Sequence, residues 1–528
     1  MKARTAFHLA LLTLILAGLL AACGPRPEVA SLTVEGPTAS PTPSPGPTAP
    51  TAQRGGSLTV AIAADVDGLD PHKTVAAATF QITRNLYDTL VQVNPQSRIQ
   101  PDLATSWETS ADGLNWTFHL RDDVFFHNGR AMTAADVKYS FERILDPETA
   151  SPRAKDYNII TVIETPDDHT VVLTLSEPQA AFLSNLAYGW AAIIPREAAD
   201  TLRDHPVGSG PFEFVEWVPD SHVKLHGFDK YFLPDVPYLD QVTFRVITDP
   251  AARLISLKIG EVDVVPEVPA QEIAGLQEAL GIQVIQQPFN GIQLLAINNA
   301  RPPFDDLRVR QALNHAIDKQ AVIEGAQWGN GVPIGGHMPP VSDFYVDLTD
   351  RYPYDPEKAR ELLADAGYPD GIETTIALPQ PYDFHIRNGE VIADQLAKVG
   401  IKATLETIEW GTYLEQVYFG RDYTLTTLGH TGRLDPDPFL NRYVSDRKED
   451  YMNYNNPRYD ELAKEGSVST DPERRHEIYA EMQRILADDA VAVYLLAPLS
   501  SVGLRQEVQG WQLYPIDIYD LRTVWKRQ

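Results

Sequence analysis

The carboxylates most nearly spaced for chemistry in this chain are Asp435 and Asp437, in Leu434-Asp435-Pro436-Asp437-Pro438. Two acids so close could act as a general acid and base or share a cation, but each abuts a proline, and turn formation is the simpler account of the run. The sequence contains no G-x-S-x-G nucleophile elbow, no H-E-x-x-H zinc motif and no P-loop. Gly329, Gly331, Gly335 and Gly336 miss the dinucleotide fingerprint and enclose Pro333. The thirteen histidines are scattered. No catalytic residue, metal site or cofactor is therefore expected. A glycosidase carboxylate pair far apart in sequence would leave no local signature, which keeps a secreted hydrolase as a less favoured alternative.

Cys23 is the only cysteine, so an intrachain disulfide and a thiolate-rich metal site are both excluded. Its surroundings suggest another chemistry. Lys2 and Arg4 precede an apolar run from Leu9 to Leu20 that is short of a bilayer span, and Ala21-Ala22 lead into the cysteine. This is the pattern of a secretory signal, and its junction resembles the lipobox of bacterial lipoproteins. The resemblance implies cleavage before Cys23 and diacylglycerol on its sulfur, usually with a third acyl chain on its amine, and two or more chains anchor stably. Residues 1–22 are expected to be a signal peptide, and 23–54 a lipidated cysteine with a Pro/Thr/Ser-rich tether that cannot bury a core. The body would then stand outside the cytoplasm on the cell membrane. With 72 acids against 44 bases the net charge is -28, and such a chain repels phosphate backbones, so nucleic acid is excluded as a partner.

Any site must be positioned by the body that starts near Gly55, which is long enough for about three structural units. Apolar residues alternate in Asn115–Leu120 and in Val242–Val246, as half-buried strands require. Thr133 with Asp136 has the spacing of a capping box ahead of Val137, Phe141 and Ile144. Asp355-Pro356-Glu357 and Asp471-Pro472-Glu473 place an aspartate cap, a proline and an acid at two further helix starts. Strands and helices mix throughout without an internal repeat, so the class is α/β.

A series of segments in order carries a more specific resemblance. They are Gly55–Val60, Asp65–Pro71, Pro101–Trp107, Leu114–Val137, Pro206–Trp217, Phe304–Lys319, Tyr354–Tyr368 and Gly400–Lys402. Together they resemble the family 5 solute-binding proteins of ABC importers across residues 55–528. The resemblance implies a two-lobed, periplasmic-binding-protein-like α/β fold with two hinge crossovers. Lobe I is expected from 55–296 plus 499–528, with an inserted subdomain at about 100–194, and lobe II from 297–498. Hinges are expected at Ile297-Asn298-Asn299 and Ala497-Pro498-Leu499. The implied function is a lipid-anchored, monomeric binding protein that passes oligopeptides or related small polar solutes to a permease. An oligosaccharide or metal-chelate carrier is the alternative, and a ligand-presenting sensor is a further one.

The resemblance also implies where ligand would lie. In the dipeptide and oligopeptide binders of the family, an aspartate in a Gly-Trp-containing loop holds the peptide amine. Here that loop reads Gly429-His430-Thr431-Gly432-Arg433-Leu434-Asp435-Pro436, with Arg433 in the aspartate's place and His430 in the tryptophan's. Gln380, before Pro381-Tyr382, stands where the dipeptide binders keep an arginine for the carboxylate. Both ends of the dipeptide clamp are altered, which disfavours a free dipeptide. Arg433 either faces a carboxylate, phosphate or sugar hydroxyls, or is a surface arginine on a loop, or is paired internally with Asp435 or Asp437. Trp410 matches a ligand-contacting tryptophan of the family. Gly429, Thr431, Tyr382 and Trp190 complete the candidates.

Overall fold

Alternating segments become half-buried strands in the computed structural model, which describes residues 52–380, 382–445, 447–516 and 518–527. Val242 and Phe244 are buried from Gln241–Val246, and Trp116, Phe118 and Leu120 from Asn115–Leu120. The signal-like segment, Cys23 and the tether as far as residue 51 lie outside the described residues.

Twelve strands form one mixed sheet. Its order is Ile401–Ile408, Ile372–Pro379, Leu425–Thr431, Gly291–Ile297, Ala492–Arg505, Val264–Val265, Ser57–Ile62, Gln241–Val246, His222–Gly227 and Phe212–Val218; Ile282–Pro288 and Gly331–Pro333 also pair with Ala492–Arg505. Ala492–Arg505 serves both ends of the sheet, pairing with Gly291–Ile297 at Ala492–Leu496 and with Ile282–Pro288 at Leu499–Arg505. The two ends are the two lobes. Leu58, Val60, Phe244 and Leu504 pack in the first, while the second buries Leu294, Ala296 and Tyr494 in one cluster and Leu295, Ile297 and Val493 in another. A separate antiparallel sheet, in the order Ala104–Thr109, Asn115–Leu120, Thr170–Leu175, Ile160–Asp167, shares a core with helix Ala134–Leu145.

The chain first passes from one end of the sheet to the other at Phe289-Asn290, between Ile282–Pro288 and Gly291–Ile297, which pair with different halves of Ala492–Arg505. Gly291–Ile297 pairs along its whole length with Leu425–Thr431 and is buried at every residue, so it is an interior strand of the second lobe. Asn298 Nδ2 donates to the carbonyls of Arg421 and Tyr423, and Asn299 Nδ2 to those of Met452 and Val491. Those bonds fix the segment that resemblance marked as a hinge. The two passages are tied where they meet, Phe289 N donating to Pro498 O at 2.7 Å.

The helix starts are capped by local chemistry. Asp136 Oδ2 accepts from Thr133 N at 2.9 Å, Asp355 accepts from Lys358 N, and Asp471 accepts from Glu473 N and Arg474 N. Pro356–Asp365 buries Ala359 and Leu363, and Pro472–Asp488 buries Ile478, Met482 and Leu486. Among the described residues no helix is long and apolar enough to cross a membrane.

Candidate functional site

The loop that leaves strand Leu425–Thr431 is held against the first passage. Gly432 N donates to Asn290 O at 2.6 Å, and Asn290 Nδ2 donates to Arg433 O at 3.3 Å. A Cβ on Gly432 would stand 2.1 Å from Asn290 Oδ1, so this approach requires glycine. Leu434 N then donates to the Tyr188 hydroxyl at 3.1 Å, and Leu434 is buried in the first lobe's subdomain core. The loop therefore touches both lobes, and Arg433 emerges exposed between these anchors.

Arg433 has no ion pair among the described residues, and the neighbouring acids are engaged elsewhere. Asp435 receives two hydrogen bonds from Arg475, at 2.7 and 2.9 Å, in a buried bidentate pair. Asp437 accepts from Tyr479 and Asn441, and burial with the charge of Asp435 beside it pushes its carboxyl up to about 6. The internal pairing of Arg433 with either aspartate, one of the readings of the sequence, does not occur, and its exposure suits both a surface arginine and one that faces ligand.

Facing the loop, Tyr188-Gly189-Trp190 ends the subdomain. Trp190 stacks on Tyr188 with centroids 4.2 Å apart and an angle of 6°, and meets Phe80 edge-on at 5.4 Å. The Arg153 guanidinium lies 4.0 Å from the Trp190 ring. A cavity of about 180 Å³ opens among Phe80, Arg153, Trp190, Phe289, Thr431, Arg433 and Ile516. A second, of about 370 Å³, continues past Phe289, Ile516 and Ile518 to Trp511 and Tyr514, and a third, of about 210 Å³, shares Arg153, Tyr188, Trp190 and Arg433 and adds Lys155, Gln179, Asp156, Asp435 and Asp437. Aromatic and aliphatic walls with a few charged groups are what small-solute sites consist of. Among the described residues no group of three or more His, Cys, Asp or Glu side chains is arranged to hold a metal.

The structure brings Trp190, Thr431 and Arg433 to this cavity and sorts the other candidates differently. His430 is buried, its Nε2 within 3.2 Å of the Tyr451 hydroxyl and its ring 5.0 Å from His337. Burial holds it neutral, well below the usual imidazole range. Neighbouring residues of a strand face opposite sides, so His430 cannot share the face of Thr431; the sequence reading that put both in the site is corrected by this period of two. Gly429 packs beneath the rings of Phe384 and His385. Gln380, Tyr382 and Trp410 gather where two adjacent parallel strands end, Gln380 N donating to Ile408 O and Tyr382 meeting Trp410 edge-on at 5.1 Å. Trp410 also stacks on Tyr413. None of these three lines the three cavities between the lobes. Sequence reasoning missed Arg153, Tyr188 and Phe289; the only local signal was the pair of aromatics around Gly189.

The profile of the bacterial extracellular solute-binding proteins, family 5 Middle, matches residues 98–451. The chain is 32% identical over 488 residues to heme-binding protein A of Haemophilus influenzae, covering 85% of this chain and 88% of that one. It is 30% identical over 495 residues to the dipeptide-binding protein of Escherichia coli, covering 87% and 92%. It superposes with a TM-score of 0.70 on the ABC transporter-associated periplasmic binding protein DppA from Helicobacter pylori in complex with the peptide STSA, at 31% identity and covering 90% and 99%. The chain belongs to the bacterial extracellular solute-binding proteins of family 5, the substrate-binding components of ABC importers, which bind their ligands without transforming them.

Proposed function

We propose that this protein captures a peptide-like solute, an oligopeptide by first preference, in the cavities between its lobes and delivers it to an ABC permease. It acts as a monomer held on the extracytoplasmic face of the membrane by acyl chains on Cys23. The observation that carries the reading is the run of adjoining cavities, whose walls come from both lobes and share Phe289, Trp190 and Arg433. The relatives named for dipeptide binding and crystallised with a peptide support the ligand class. Closure would turn on the two passages at Phe289-Asn290 and Ala497-Pro498-Leu499, because ligand favours whichever arrangement it contacts better.

A carboxylate-bearing metal chelate is the second reading. It is favoured by the relative named for heme binding and by the two guanidinium groups on the cavity wall.

Native mass spectrometry of gently purified protein is expected to detect one co-purified solute per monomer, with its mass separating peptide from chelate. Small-angle scattering is expected to show compaction on saturation, and an unchanged profile with solute bound would defeat the closure. Fatty-acid labelling should mark the wild type and spare Cys23→Ser; an unlabelled wild type in a lipoprotein-competent host would remove the anchor.

A further inference from the structure

Among the described residues the wall of the 180 Å³ cavity carries two cations and no acid: Arg153 from the first lobe's subdomain and Arg433 from the second lobe's loop. In a chain with a net charge of -28 such a wall is a departure from the average surface. Arg153 has only Asp156 at 3.9 Å, beyond hydrogen-bond length, and its Nε is buried without a partner. Arg433 has no ion pair among the described residues; the group its guanidinium meets is the Tyr188 hydroxyl, which burial keeps neutral and which also accepts from Leu434 N. Of the three acids bordering the adjoining cavity, Asp435 is neutralised by Arg475, Asp437 is engaged by Tyr479 and Asn441, and Asp156 stands 3.9 Å from Arg153. The apolar surface around the two guanidiniums, from Phe80, Trp190, Phe289 and Ile516, lowers the local polarity and strengthens any charge-assisted bond made there.

We propose that Arg153 and Arg433 form a two-armed receptor for a ligand carboxylate, one arm from each lobe. The inference rests on the reading of this cavity as the ligand site. It assigns the ligand class as a solute with a carboxylate at the Arg433 end and an apolar or aromatic body against Trp190 and Phe289. A ligand presenting an ammonium at that end is excluded by like charge. A carboxylate held by both arms would bridge the two lobes.

The test uses the dipeptide Leu-Phe in four forms: free, N-acetylated, C-amidated and blocked at both ends. Calorimetry on the full chain is expected to rank the N-acetylated form first, about tenfold or more above the free dipeptide and the doubly blocked form, with the C-amidated form last. Arg153→Gln and Arg433→Gln should each lower affinity for the N-acetylated form more than for the doubly blocked one. Thermal melting with benzoate and with neutral benzamide provides a probe that needs no peptide specificity, and benzoate should raise the melting temperature only when both arginines are present. If the peptides bind and compact the protein equally in wild type and both variants, the receptor is overturned and the importer reading stands. If no peptide binds but benzoate stabilises in an arginine-dependent way, the receptor stands and the peptide reading falls. A free dipeptide that binds as tightly as its acetylated form, or no response to either probe, overturns the receptor.

Discussion

Two sets of arginines lie in this molecule, and they differ in what stands opposite them. Arg143 reaches Asp70 with bonds of 2.6 and 3.0 Å, Arg475 reaches Asp435 at 2.7 and 2.9 Å, and Arg84 and Arg522 share Gln92 Oε1 beside Asp102 and Asp520. All of these are nearly inaccessible to water. Arg153 has only a long pair with Asp156, at 3.9 Å, and Arg433 has no ion pair among the described residues; both line the cavity between the lobes. A guanidinium buried by the fold for its own purposes must be given a counterion or a set of carbonyl acceptors, because an uncompensated charge in a dry interior costs several kcal/mol. Arg253 and Arg310 are buried without a carboxylate and donate to backbone carbonyls instead, so what sets Arg153 and Arg433 apart is that they face a cavity a counterion can enter.

The largest effect should come from breaking a completed pair. Asp435→Asn leaves Arg475 buried without its carboxylate and is expected to cost about 3–5 kcal/mol, read by urea denaturation. Asp70→Asn should behave alike through Arg143, with His72 as a third member of that cluster. A loss below about 1 kcal/mol at both sites would place these pairs with exposed ones and erase the distinction drawn here.

The acids divide in the same way, and pH should separate them. Asp437 has no arginine, and its carboxyl is raised to about 6 by burial first and by Asp435 second. Its pKa in the unfolded chain is about 3.9, so from about pH 4 to about pH 6 the folded state holds a proton that the unfolded chain has released. Stability from this group is therefore present at pH 4 and lost as the pH rises through 6. Asp437→Asn cannot lose it. The stability of Asp437→Asn relative to wild type should rise by on the order of 2 kcal/mol between pH 4 and pH 7.5. A flat difference, or an Asp437 titration by NMR below 4, would mean that a cation does approach it in solution. Arg433 would then be paired after all.

What could be read from the sequence follows the range of the interaction responsible. Strands Asn115–Leu120 and Gln241–Val246 alternate because one face is wet, and the caps at Thr133, Asp355 and Asp471 are chemistry between near neighbours. Gly291–Ile297 is buried on both faces, so it has no alternation, and nothing local separated it from the passage that precedes it. His430 was drawn into the site by its neighbours in the loop, although the strand that carries it turns every second side chain away. Gln380, Tyr382 and Trp410 gather because adjacent parallel strands end side by side, and the group lies off the cavity walls. Arg153 gave no signal. Its role depends on Trp190 and on a loop from the other lobe, and no local pattern encodes a contact across that distance.

The smallest expected effect is the sharpest check on the comparison. Arg433→Gln removes a charge that satisfies no buried acid, so without ligand the stability should change by no more than about 0.5 kcal/mol. Arg153→Gln gives up its position over Trp190, worth about 0.5–1 kcal/mol for a partly exposed cation–π contact, and should fall between the two classes. The order reverses once a carboxylate ligand is added, because ligand stabilises the folded state by RT ln(1 + [L]/Kd). At a fixed N-acetyl-Leu-Phe concentration the wild type should gain melting temperature and the two glutamine variants should gain less. Either variant losing as much stability without ligand as Asp435→Asn would show that its guanidinium already has a counterion within the fold, and the class of arginines awaiting one would then have no members.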